Sequence, residues 1–133
     1  MNIVKKFIFS ILFCNMSIGQ TNSNENAKPT GARKTLRTTN CAEVVSLAQK
    51  DIDDNNISIF VQGGIAPMVY KSDGVFEKKY ELQYFDLGCI GNNCAEVYNQ
   101  TIFDYLTKTH GKNWIKTIRK DVVGLKKQQT SNK

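Results

Sequence analysis

Residues 57–87 read ISIFVQGGIAPMVYKSDGVFEKKYELQYFDL, and this stretch decides the fold class. Its opening, Ile57-Ser58-Ile59-Phe60-Val61, starts with apolar–polar alternation and is rich in β-branched residues, the pattern of a strand. Its end, Leu82-Gln83-Tyr84-Phe85-Asp86-Leu87, is a second apolar-rich run. Between them lie Gly63-Gly64, Pro67 and a short helix predicted over 74–80 with Asp73 as its cap. A connection of this length suffices for a right-handed crossover between parallel strands. The segment 66–71 is a candidate third strand.

Helices are predicted on both sides. Asn40-Cys41-Ala42-Glu43 reads as a helix start in which the Asn40 side chain accepts the Glu43 amide while Glu43 reaches back, a variant of the capping box. That helix should run to about Asp54, because Cys41, Val44, Val45, Ala48 and Ile52 fall on one face at helical spacing. The same pentapeptide, Asn-Cys-Ala-Glu-Val, recurs at 93–97 and opens a second helix with Ala95, Tyr98, Ile102, Tyr105 and Leu106 on one side. The flanking residues do not match, so it is one cap chemistry used twice rather than a domain repeat. Gly111 ends this helix, as a residue tolerant of positive φ does. A last helix is predicted over 113–123, with Trp114, Ile115, Ile118 and Val122 inward and Gly124 as its stop. The expected fold is therefore α/β or α+β, with a small two- to three-stranded sheet flanked by about four helices.

The ends of the chain read differently. Residues 1–19 have the layout of a cleavable export signal, with Lys5 and Lys6 before an apolar run at 7–13 and small residues at Ser17 and Gly19, so cleavage is expected before Gln20. The run is about half the roughly 20 apolar residues a spanning helix needs, so no transmembrane helix is expected after cleavage. Phe13 before Cys14 argues against lipid attachment there. Residues 20–38 offer almost nothing to bury and read as a flexible leader, and 125–133 as a flexible tail. A single folded domain is thus expected over 39–124. Its location is expected to be exported, periplasmic or extracellular.

Charge is unevenly spread. Loss of Lys5 and Lys6 with the signal lowers the formal net charge from +6 to +4. Residues 41–104 carry four Lys or Arg against ten Asp or Glu, and residues 105–133 carry eight against one.

The string Phe76-Glu77-Lys78-Lys79-Tyr80 resembles the signature of the FEKKY domain family, together with Gly63-Gly64, Gly88-Cys89, Tyr98-Asn99 and Gly111-Lys112 followed by Trp114. The similarity spans about residues 50–124. It implies a small, often exported bacterial protein, and it carries over no catalytic residues.

Cleavage leaves Cys41, Cys89 and Cys94 in a compartment where disulfides persist, so one bond and one leftover thiol are expected. Cys89 and Cys94 could close a short loop, or Cys41 and Cys94 could staple two helix starts. Thiol redox chemistry is the functional alternative, since a helix N-terminus favours the thiolate. The spacing of Cys89 and Cys94 is not the two-residue spacing of thioredoxin-like motifs.

No metal site and no cofactor are expected, because His110 stands far along the chain from any cysteine. His110 is better placed to meet the exposed carbonyls at a helix C-terminus. Gly63 and Gly64 follow a strand without a complete phosphate-loop pattern, and a turn is the simpler reading. Glu77, Glu81 and Asp86 are read as surface charge, with paired-acid hydrolysis as the alternative. Lys108, Lys112, Lys116, Arg119 and Lys120 form a candidate basic face at roughly helical spacing. The aromatic residues of 80–105 are read chiefly as core.

The expected function is a non-enzymatic exported module that binds an anionic envelope component or a protein partner, and not nucleic acid, through the basic face or an aromatic groove. The alternative is a small hydrolytic or thiol-dependent enzyme whose site lies near Gly63, Gly64, Glu77, Cys89 and His110. Catalytic residues are left unassigned, and whether the chain is an enzyme is left open.

Overall fold

The computed structural model describes residues 30–91 and 93–131. The export signal, the cleavage position and residues 20–29 of the expected leader lie outside the described residues. Five α-helices and a two-stranded sheet form an α+β fold in the order α1 (Gly31–Thr35), α2 (Cys41–Asp53), β1 (Ile57–Val61), α3 (Asp73–Tyr80), β2 (Leu82–Asp86), α4 (Asn93–His110) and α5 (Leu125–Ser131). A 3₁₀ turn, Lys112–Lys116, follows α4.

The two strands pair in parallel, with Ile57 opposite Leu82 and Val61 opposite Asp86. Parallel strands covered on both faces read as nearly continuous apolar runs, and all five residues of β1 are buried, the small polar Ser58 among them. On one face Phe60 meets Phe85 and Tyr98 of α4 edge-on, at 5.4 and 5.1 Å. On the other, Tyr84 stacks on Phe76 of α3 at 5.6 Å.

Side chains close the outer edge of β1. Asn99, fully buried in α4, accepts from the Phe60 amide at 2.8 Å and donates to the Phe60 carbonyl at 2.8 Å. It also donates to the Val123 carbonyl at 3.0 Å. Beyond it, the Gln62 amide donates to Asp121 O at 2.9 Å and Val122 forms an antiparallel bridge with Val61. The third strand considered for 66–71 is absent among the described residues. Segment 66–71 forms no strand and stands in solvent. Pro67 explains part of this, since it has no amide to give to a ladder.

Helix α2 starts as its sequence requires, with one change of partner. Asn40 Oδ1 accepts from the Ala42 amide at 3.1 Å, while its Nδ2 donates to Glu43 Oε1 at 3.0 Å. The corresponding cap of α4 lies outside the described residues. Gly111 stops α4 at φ 71°, in the left-handed region that glycine favours.

Four expectations are corrected. The leader does not extend to residue 38: α1 is folded against α2, with Ala32 and Thr35 fully buried. Its cause is Asp51, 3 % exposed, whose carboxylate accepts from the Gly31 and Ala32 amides at 2.8 and 2.9 Å. A Cβ on Gly31 would stand 2.4 Å from Leu47 O, so only glycine permits this approach. The tail does not begin at 125, because Leu125 is buried and α5 runs to Ser131. Residues 113–123 are not one helix; Trp114, Ile118 and Val122 are buried from a 3₁₀ turn and an extended return to β1. Finally, Asp73 does not cap α3, which has no side-chain cap at Ser72.

Of the two cysteine pairings considered, Cys41 bonds Cys94 and Cys89 is free and exposed. The bond joins the starts of α2 and α4 across 53 residues of sequence. Closing a loop of this size restricts the unfolded chain by about 4 kcal/mol in the chain-entropy view.

Replacing Asn99 with Leu keeps its branched outline, with somewhat more bulk, but strips the Phe60 amide of its partner in a fully buried site. We expect a loss of about 2–4 kcal/mol in urea unfolding, from an orphaned amide and lost bonds to two carbonyls.

Candidate functional site

The connection from β1 to α3 carries apolar side chains outward. Ile65 is 100 % exposed and Val69 84 %, Met68 and Tyr70 are also exposed, and Val75 in the first turn of α3 is 70 % exposed. Ile90, 63 % exposed, stands on the loop after β2. The two loops are neighbours, since Gln62 Nε2 donates to Gly88 O at 3.4 Å. Both leave the carboxyl ends of the parallel strands, where open α/β sheets commonly place their ligands.

Arg119 holds this exposed segment. Its guanidinium binds Asp121 through Nε at 2.9 Å and Nη2 at 2.6 Å, and donates from Nη1 to Asp73 Oδ2 at 3.0 Å. The same Nη1 donates to the Met68 carbonyl at 2.9 Å. Tyr70 closes the turn, its amide donating to Asp73 Oδ2 at 2.8 Å. The Arg119 plane lies over the rings of Tyr70 and Tyr84, at 4.7 and 5.3 Å. A rigid fork with five donors can serve two carboxylates, a carbonyl and two rings together; an ammonium cannot. The guanidinium holds the Asp121 carboxyl below its ordinary range, and burial raises the Tyr84 hydroxyl.

Arg119 is therefore not part of a free basic face. Nor do the lysines share one helical stripe: Lys108 lies in the last turn of α4, Lys112 and Lys116 bound the 3₁₀ turn, and Lys120 lies in the return to β1. All four are exposed. Lys120 borders a hollow of about 330 Å³ with Tyr70, Ser72, Thr117 and Arg119.

The residues expected near an enzyme site are spread out. Gly63 packs on Asp86, whose Oδ1 would lie 1.7 Å from a Cβ there. Gly64 follows it, with open space around it. Glu77 accepts from the Tyr84 amide at 2.8 Å, on the edge of β2 that faces away from β1. It lines an open cleft of about 460 Å³ with Asn55, Asn56 and Glu81, and none of Gly63, Gly64 and His110 borders that cleft. His110 ends α4 and meets the Tyr80 ring edge-on at 5.1 Å. Among the described residues, no group of three or more His, Cys, Asp or Glu is placed to hold a metal ion.

The pentapeptide at 76–80 has a structural reading throughout. Phe76 and Tyr80, one helical turn apart, are buried and touch at 4.6 Å. Glu77 closes the strand edge, and Lys78 and Lys79 are exposed. Sequence reasoning missed the outward role of Ile65, Met68 and Val69; the signal present was Pro67 inside an apolar run. No protein-family model, curated protein or solved structure matches the chain.

Two tests follow from this geometry. Glu77→Ala should lower stability by about 1–2 kcal/mol, and Glu77→Gln, which keeps an acceptor, by about half that or less. Because the folded carboxyl of Asp121 lies below its ordinary 3.8, the unfolded chain binds its proton more readily. Its contribution is complete above that value and is lost as pH falls through the lower folded one. Acid unfolding followed by circular dichroism should therefore show a shallower loss in Asp121→Asn than in the wild type.

Proposed function

We propose that this chain is an exported, non-enzymatic binding module of the FEKKY type, and that it binds through the apolar loop between β1 and α3. The observation that carries this reading is the exposure of Ile65, Met68 and Val69 on a segment fixed by Arg119. Apolar side chains grouped in solvent mark interaction surfaces more often than they mark chance. Fixing them before binding lowers the ordering cost that a partner must otherwise meet.

Further observations bear on it. The Cys41–Cys94 disulfide fits an oxidising compartment, periplasmic or extracellular. Among the described residues, no helix is long and apolar enough to cross a membrane. The residues on which an acid–base site would depend have other work: Glu77 on the Tyr84 amide and His110 on the Tyr80 ring. The thiol-dependent alternative keeps one observation in its favour, that Cys89 is free and exposed next to Ile90.

The test is retention of the purified chain on envelope fragments from cells that make it. Wild type should co-sediment. Ile65→Ser/Val69→Ser should lose about tenfold or more in retention, given roughly 1 kcal/mol or more per side chain that leaves water. Its thermal unfolding should be unchanged. Cys89→Ser should bind as wild type does. Equal retention of the loop variant and the wild type would exclude the loop as the binding surface, and loss in Cys89→Ser would move the site to the thiol.

A further inference from the structure

Resting on that reading, we propose that the occupant of the loop is an anionic lipid surface, with Ile65, Met68 and Val69 entering the headgroup boundary and Lys71 and Lys120 meeting the phosphates.

The shape of the apolar group favours this. Ile65 is as bare as in a free chain, and Val69 nearly so. These side chains stand exposed on the loop between β1 and α3. A folded protein would have to supply a pocket shaped to receive the loop, whereas lipid closes around it. Tyr70, partly exposed beside them, has the apolar body and polar tip that suit the boundary between the two phases.

Charge points the same way. Lys71 follows the loop directly, and Lys120 borders the hollow beside Tyr70. Both are exposed, and neither forms an ion pair among the described residues. The acids close to them are drawn inward: Asp73 and Asp121 bind Arg119, and Asp86 Oδ1 accepts from the Gly88 amide at 2.6 Å. The outward charge beside the apolar tip is therefore positive, although the acidic residues predominate over 41–104 as a whole. Lysines beside inserted apolar side chains add attraction to anionic headgroups that a neutral surface does not supply.

The clamp gives the loop its fixed presentation. Arg119 takes the Met68 carbonyl, so that backbone polar group is already bonded and need not be stripped of water on insertion. The same bond ties the Met68 backbone to the segment that carries Lys120, the next residue after Arg119.

The experiment measures co-sedimentation of the purified, disulfide-bonded chain with protein-free vesicles. Phosphatidylcholine vesicles containing phosphatidylglycerol are compared with pure phosphatidylcholine. Wild type should partition onto the anionic vesicles and fall off as salt is raised. Removing each lysine, by Lys71→Gln or Lys120→Gln, should weaken binding about fivefold. Ile65→Ser/Val69→Ser should weaken it about tenfold or more at unchanged folding, checked by thermal unfolding. Lys108→Gln, at the far end of α4, should have little effect and controls for loss of net charge. Equal binding by wild type and the loop variant would overturn the proposal, as would equal effects of Lys108→Gln and Lys120→Gln. Loop-dependent retention on envelope fragments without binding to the vesicles would overturn the lipid assignment and leave the binding module intact, pointing to a protein or polymer partner. Absence of loop-dependent retention on either would overturn both.

Discussion

A two-stranded parallel sheet has two open edges, and in a domain packed on both faces neither can be left to water. Here one asparagine and one glutamate replace the missing strands. Asn99 presents an amide to Phe60 with the donor and acceptor that a neighbouring strand would offer. Glu77 takes the outward amide of Tyr84. Both arrangements require an element to lie at hydrogen-bonding distance from the sheet, so the positions of α4 and α3 follow from them. The neighbour of Asn99 extends the constraint. Tyr98 turns to α2 and donates to Asp51 at 2.7 Å, and Asp51 in turn holds the first amides of α1. Burial and the Asp51 carboxylate together keep the Tyr98 hydroxyl protonated well above its ordinary range. Two adjacent residues of α4 thus connect the sheet to both N-terminal helices.

The disulfide belongs to the same scheme. It fixes the starts of α2 and α4, and Tyr98 and Asn99 lie about one turn beyond Cys94. A sheet this narrow contributes few ladder bonds, so orientation of α4 has to come from elsewhere. The covalent link restrains that helix near the residues whose direction matters most.

Local chemistry was legible where the cause lay within a few residues. The strands at 57–61 and 82–86, the Asn40 cap and the stop at Gly111 each follow from adjacent side chains. Distant causes were not legible. Residues 31–35 are poor in apolar side chains, and their helix depends on a carboxylate about twenty positions away, at Asp51. Trp114, Ile118 and Val122 repeat every four residues, as a buried helical face would. The same spacing serves a tight turn followed by an extended return, and only the open edge of β1 decides between the two. Asp121 lies two residues from Arg119, but Arg119 looked like one more member of a basic stripe because its other partners, Asp73 and Met68, are about fifty residues earlier. As for the candidate site, its apolar residues were visible as a group, but their outward direction was not. An apolar run after a strand is ordinarily assigned to the core, and a single proline was the only local sign against it.

The balance of that loop bears on function. A domain of this size has little apolar surface to spare, and its stability is the small remainder of large opposing terms. Leaving Ile65, Met68 and Val69 in water forgoes burial that the sequence pattern would have allowed. Holding them there also draws the Arg119 side chain, 7 % exposed, out of most of its water, where two carboxylates match the guanidinium. Folding alone gives no reason for such an arrangement, since a polar loop would need neither the burial of Arg119 nor the exposure of isoleucine and valine. The arrangement is understandable if the cost to the free domain is recovered when the loop is covered, because then the same side chains are removed from water in the bound state. For a loop that must meet a surface, the bond from Arg119 to the Met68 carbonyl also joins the apolar segment to the one that carries Lys120, so apolar side chains and positive charge are presented together.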